Sequence, residues 1–147
     1  LYSGKTLALV GESGSGKTVT ALSILQLLGD ARYGKDSKIL FEKNNLLSLE
    51  AEKMRTIRGH RIAMIFQEPM TSLNPLHTIG KQLREAILLH KSMSRAAVNA
   101  RVKELLALVQ LESLHARLEA YPHELSGGQR QRIMIAMALA HNPDILI

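Results

Sequence analysis

The sequence contains no cysteine. Disulfides, zinc thiolates and iron–sulfur clusters are thereby excluded, and the composition fits a reducing compartment. Aromatic residues are scarce at 3%, tryptophan is absent, and no aromatic is interleaved with a basic cluster. Stacking platforms for single-stranded nucleic acid need such interleaving. The net charge of +6 therefore suits anionic phosphates and a solvated surface rather than a nucleic-acid partner. Long apolar runs are missing too: the longest, Ile133 to Ala140, falls far short of the ~20 residues that cross a bilayer as a helix. Against these absences stand 46% hydrophobic and 22% charged residues over 147 positions, enough to bury the core of one compact domain. The chain opens without Met, almost directly on an apolar segment, and is expected to be a piece of a longer protein.

The apolar pattern first alternates between strands and helices. Leu7-Ala8-Leu9-Val10 is a short continuous run between Thr6 and Gly11, the pattern of a strand buried on both faces of a parallel sheet. Ala21, Ile24, Leu25 and Leu28 then recur at helical spacing from about Lys17, with Gly29 as the expected stop. A short strand is expected at Lys38 to Phe41, a short helix capped by Ser48 and running through Arg55, and a second buried strand at Ile62 to Phe66. Beyond that only helices are expected. Ile79, Leu83, Ala86 and Ile87 keep helical spacing, as do Val98, Val102, Leu105, Leu106 and Val109. A last apolar helix from about Gly128 to His141 is broken at Asn142-Pro143 before a third strand at Ile145 to Ile147. The fold class is therefore α/β with a helical insertion, divided as 1–70, 71–121 and 122–147.

Gly11-Glu12-Ser13-Gly14-Ser15-Gly16-Lys17-Thr18 matches G-x-x-x-x-G-K-[ST] in full, between a strand and a helix as the chemistry requires. Glycines let backbone N–H groups turn toward phosphates, and the helix N-terminus adds a field of roughly half a positive charge at the same point. Lys17 would reach the β- and γ-phosphates, and Thr18 would offer its hydroxyl to Mg²⁺. This much identifies a nucleoside triphosphate site and leaves a kinase, a GTPase and a transport ATPase open.

A second glycine motif, Leu125-Ser126-Gly127-Gly128-Gln129, begins the last apolar helix. Alone it reads equally as a helix cap. Paired with the phosphate loop it resembles the LSGGQ signature of the ATPase domain of ABC proteins, a P-loop NTPase core with an inserted helical subdomain. The resemblance covers essentially the whole chain. It implies that ATP is held by Gly11, Glu12, Ser13, Gly14, Ser15, Gly16, Lys17, Thr18 and Val19. It also implies that Ser126, Gly127, Gly128 and Gln129 close over the ATP of a partner domain in a head-to-tail dimer. Gln67 corresponds to the Q-loop glutamine, which contacts Mg²⁺ and the attacking water, so Lys17 and Gln67 take the catalytic roles and Thr18 and Gln67 the metal. Val19 stands where many ABC proteins have a hydroxyl, a departure that peptide-importer relatives often share.

The segments Phe66 to Pro75 and Tyr121 to Leu125 resemble the dipeptide, oligopeptide and nickel importer branch. Leu7 to Leu28 and Ile62 to Leu76 resemble its double-cassette members for microcin C and peptide uptake. The branch implies permease subunits in the membrane, indirectly a periplasmic solute-binding protein, and a peripheral location on the cytoplasmic face of the bacterial inner membrane. The alternative is a soluble ABC ATPase acting on DNA or ribosomes. In the family the Walker B aspartate, the catalytic glutamate, the switch histidine and the adenine-stacking aromatic fall outside this stretch, so the chain alone is not expected to turn over ATP. Glu68 is not expected to be the base, nor Asp144 the Walker B aspartate. The histidines form no i, i+4 metal pair and are expected at the surface or at helix ends. Leu88 and Leu89 extend one apolar stripe and are either core or a contact for the permease.

Overall fold

A computed structural model of the chain describes residues 1–29, 33–67 and 72–147. They form two compact units, Leu1–Arg55 and Thr56–Ile147. In the first, helix α1 (Lys17–Ile24) follows the glycine loop. It stops before Gly29 because Gln26 adopts the left-handed conformation, φ 50°. The Gln26 amide then donates to Ser23 O at 3.1 Å and the Leu27 amide to Leu22 O at 3.0 Å, the closure that glycine usually provides. The Gln26 side chain donates in turn to Leu46 O, a tertiary hydrogen bond that offsets the strain.

Strands β1 (Leu40–Phe41) and β2 (Asn44–Asn45) form an antiparallel hairpin pairing Leu40 with Asn45 and Phe41 with Asn44. Its two turn residues, Glu42 and Lys43, both have positive φ, 48° and 68°, the mirror-image turn that follows the natural twist of the strands. Ser48 does not cap the expected helix: it ends a 3₁₀ turn, Leu46–Ser48, whose cap is Asn45, with Oδ1 accepting from Leu47 N at 3.3 Å and the Ser48 hydroxyl donating to Asn45 O. Helix α2 (Ala51–Ile57) starts only afterwards.

The expected strand at Leu7 to Val10 does not form. No described strand pairs with it, and Leu7, Leu9 and Val10 are 70%, 56% and 91% exposed. A strand buried on both faces requires ladder partners as well as an apolar sequence.

In the second unit the other two expected strands pair with each other. β3 (Ile62–Ala63) lies parallel to β4 (Ile145–Leu146), with Ile62 opposite Ile145 and Ala63 opposite Leu146. Ile147 N donates to Ala63 O and Ile65 N to Ile147 O, continuing the ladder. A parallel pair requires a long crossover, here built from α3 (Ile79–Leu88), α4 (Arg95–Leu108), two 3₁₀ turns and α5 (Gly127–Ala138). The stripes Ile79, Leu83, Ile87 and Val98, Val102, Leu105, Leu106 are buried together with Ile133, Met134 and Ala136, each large side chain contributing about 1.5–3 kcal/mol. Leu88 and Leu89 lie outside that core, 44% and 72% exposed.

The start of α3 is sealed by protein. Ile79 N donates to Ala120 O and Gly80 N to Leu118 O, at 2.9 and 2.7 Å, and Thr78 Oγ1 accepts from Lys81 N. The buried Gln82 carboxamide accepts from Asn74 N and donates to the Asn74 and His77 carbonyls, fixing the preceding loop. A Cβ at Gly80 would lie 2.9 Å from both Leu118 Cβ and Leu118 O. Gly80→Ala gains about 1 kcal/mol of helix propensity against roughly 1–3 kcal/mol of overpacking, with a backbone carbonyl as the obstacle. The expected outcome is a lower urea midpoint; an unchanged or higher one would show that the Leu118 turn yields.

Candidate functional site

The first candidate site is the loop 11–18 in the first unit. Gly14 and Gly16 have φ of 80° and 88°, a region that costs a residue with a Cβ about 1–2 kcal/mol. Ser15 N closes back on Glu12 O at 3.2 Å. The loop therefore curls, and Lys17 reaches back across it: Nζ donates to Gly11 O at 2.7 Å, Glu12 O at 2.6 Å and Ser15 Oγ at 3.3 Å. Helix α1 is left open at its head. Gly16 supplies no side-chain cap and no acid stands in the first turn. Among the described residues nothing accepts from the amides of Lys17, Thr18 or Val19. Thr18 and Val19 are exposed, whereas the Thr20 hydroxyl is spent on Gly16 O. Open amides, a helix N-terminus and one ammonium group form a cradle for an anion with several oxygens.

The second candidate is the head of α5. Leu125 is buried and anchors it. Ser126 caps the helix: its Oγ accepts from Gln129 N at 3.2 Å, and Gln129 Oε1 accepts from Ser126 N at 2.9 Å, a reciprocal capping box. The helix-cap reading of this motif is thus correct as local structure, but it does not exhaust the motif. Gly127 and Gly128 are exposed, nothing stands within 4 Å of where a Cβ would be, and among the described residues nothing accepts from their amides.

Gln67 is exposed in the second unit, just beyond the β3 ladder. Glu68 lies outside the described residues. Asp144 is paired with Arg61, and its amide donates to Arg61 O, so it braces the approach to β4. Two features gave no local signal in the sequence. Arg101 covers the end of α5, donating to Ala140 O, Leu139 O and Asn142 Oδ1, and His60, His90 and His141 meet in space. Their partners are 30 to 81 positions away in the chain, beyond any helical or strand period. Among the described residues no group of three His, Cys, Asp or Glu side chains is placed to hold a metal ion.

A curled glycine loop feeding an uncapped helix, a parallel strand pair and a helical crossover ending in a second glycine-headed helix are the parts of an ATP-binding cassette fold. The model of the ABC transporter family matches residues 1–147, and the chain belongs to that family. It is 55% identical over its whole length to the peptidoglycan transport ATP-binding protein YejF of Agrobacterium fabrum, covering 27% of that protein. It is 53% identical to the dipeptide transport ATP-binding protein DppD of Bacillus subtilis, again over its whole length and 44% of the relative. The chain thus spans between about a quarter and under half of the curated relatives it matches. Among solved structures, the dimeric ATP-binding cassette MJ0796 bound to ADP and Pi matches with a TM-score of 0.76 and 29% identity, over 92% of this chain and 56% of that one. The cbiO1 cassette of Clostridium perfringens, at 22% identity and a TM-score of 0.73 over 93% of this chain and 50% of that one, shares the fold.

The capping box gives a stability prediction separate from any ligand. Ser126→Ala removes the cap on Gln129 N and is expected to cost about 1 kcal/mol, whereas Ser126→Asp, which can still accept, should cost less. Urea unfolding of both variants measures the difference, and equal losses would mean that the cap contributes nothing.

Proposed function

We propose that the chain holds ATP in the loop Gly11–Thr18 and that its full-length protein hydrolyses ATP to drive import of peptides or similar solutes through a membrane permease. The observation that carries this is the open head of α1, with the Lys17 ammonium folded over the loop and bonded, among the described residues, to the loop's own oxygens. Phosphate oxygens entering the cradle would replace the Gly11 and Glu12 carbonyls as partners of Lys17, so that the ammonium bonds to charged acceptors instead of neutral ones. The open amides of Lys17, Thr18 and Val19 would receive the phosphate chain. Val19, 54% exposed, offers methyl contact but no hydroxyl.

The Thr18 hydroxyl and the Gln67 carboxamide are hard oxygen donors, and few in number, which is the donor set Mg²⁺ takes beside phosphate oxygens and water. When bound, the ion neutralises phosphate charge. Lys17 stabilises the same charge from the protein side, and Gln67 orients the attacking water. Ser126, Gly127, Gly128 and Gln129 would close over the nucleotide of a second cassette. The exposed Gly127 and Gly128 amides point to that use, because the capping box already occupies the Ser126 hydroxyl and part of the Gln129 amide within the chain.

Peptide-class cargo follows from the relatives, which are named for transport of dipeptides, oligopeptides and peptidoglycan. The same names argue against action on DNA or ribosomes. Among the described residues no helix is long and apolar enough to cross a membrane. The relatives' names as transport ATP-binding proteins support a peripheral place on the cytoplasmic face of the inner membrane, docked on permease subunits and served indirectly by a periplasmic binding protein. Leu88 and Leu89, exposed at the end of α3, are the apolar contacts proposed for the permease.

Lys17→Ala removes hydrogen bonds to a charged partner worth about 1.5–3 kcal/mol, so labelled-ATP titration of the full-length protein should show affinity at least about tenfold weaker. Equal affinity in variant and parent would sink the phosphate-cradle reading.

A further inference from the structure

Three of the six histidines form a cluster. His60 precedes β3, His90 follows α3 and His141 follows α5. Their ring centroids are 5.4 Å apart for His60 and His90, 5.5 Å for His60 and His141, and 5.1 Å for His90 and His141. The first pair is stacked and the other two meet edge to face. All three are half-buried. His90 Nε2 donates to Arg58 O at 3.0 Å and His141 Nε2 to Ala86 O at 2.9 Å. These bonds fix the proton on Nε2, so any further proton goes to Nδ1 and brings a full charge.

The surroundings do not welcome that charge. Arg58 stands before β3 and Lys91 follows His90. Arg101 reaches in from α4, already bonded to the Leu139 and Ala140 carbonyls and Asn142. Two carboxylates on neighbouring elements are engaged elsewhere: Glu104 with Arg101 at 2.7 Å, and Asp144 with Arg61. On α3, Glu85 faces Lys81 and His77. Desolvation holds the pKa of His141 below its ordinary 6.5; the bond to Ala86 opposes this, and the charges of His90, His60 and Lys91 reinforce it. A cavity of about 180 Å³, lined by Ile87, Lys91, Arg101, His141 and Asn142 among others, adjoins the ring and gives water a place to enter.

The geometry points to a proton-operated joint: neutral, the three rings tie the approach to β3, the end of α3 and the end of α5 into one packed corner, and protonation opens that corner. Because His141 binds a proton less readily in the folded state than in the unfolded one, its contribution to stability is complete above about pH 6.5 and is lost as pH falls below that. β3 runs on toward Gln67, so an opened corner would loosen the base of a strand given a role in ATP hydrolysis. That consequence rests on the proposed function; the joint itself does not.

The test is hydrogen–deuterium exchange of the full-length protein, corrected for intrinsic rates, at residues 57–66, 84–92 and 136–144. Between about pH 7.5 and about pH 5.5 the opening constant at all three segments should rise more in the parent than in His141→Gln, by up to about tenfold, the limit for one proton one unit below its ordinary pKa. Glutamine keeps an N–H for Ala86 O and cannot charge. Should that variant fail to fold, imidazole NMR of the labelled parent decides, with His141 expected to titrate below 6.5 as the three segments lose protection together. Equal pH dependence in parent and variant, titration of His141 at or above 6.5, or protection restored by added zinc and removed by chelator would each overturn the joint, the last by making the rings metal ligands.

Discussion

Every α-helix begins with amide donors that its own ladder cannot satisfy, and this chain treats them differently from one helix to the next. At α3 they are closed by protein: the Ala120 and Leu118 carbonyls and the Thr78 hydroxyl take them, and Gly80 lets the Leu118 turn approach. At α4 the Ser94 hydroxyl caps the helix. At α5 the box between Ser126 and Gln129 satisfies the amides of both residues and leaves those of Gly127 and Gly128 exposed. At α1 there is no side-chain cap at all. Among the described residues amides without a protein acceptor remain at the heads of α1, α4 and α5, and the heads of α1 and α5 are the two that carry the glycine motifs.

Leaving amides open costs stability unless water or a ligand meets them, so open heads persist only at a solvent-exposed surface. That is where both lie: Gly11 to Ser15 and Ser126 to Gly128 are exposed. The opposite ends of the helices are treated as structure. Arg101 covers the last carbonyls of α5 and Arg132 those of α4, cations placed where the helix dipole favours them. Left-handed Gln26 and Gln110 close α1 and α4 where glycine is the usual choice.

Local chemistry was legible in the sequence and tertiary chemistry was not. The loop 11–18, the stripes of α3 and α4 and the strands around Ile62 and Ile145 could be read because each is a fixed spacing of residue types. The end of α1 was misplaced because Gln26 accepts a glycine conformation in return for a bond to Leu46, twenty residues on. The hairpin turn at Glu42 and Lys43 has none of the residues that announce such a turn. Leu7 to Val10 has the sequence of a buried strand and remains exposed, since no ladder partner pairs with it among the described strands. The histidine cluster joins residues 30 and 51 positions apart, a proximity that only the packing of α3 against α5 creates.

The central claim is that the two helix heads bearing the glycine motifs are halves of one site completed between two cassettes. The most direct measurement mixes two disabled full-length proteins, one carrying Lys17→Ala and the other Ser126→Arg, and follows phosphate release. A head-to-tail pair of the two variants contains one intact loop facing one intact signature, so the mixture is predicted to recover a substantial part of the hydrolysis that each variant has lost alone. No recovery, with pairing of the two variants confirmed by pull-down, would contradict the account and place both heads in the service of a single chain.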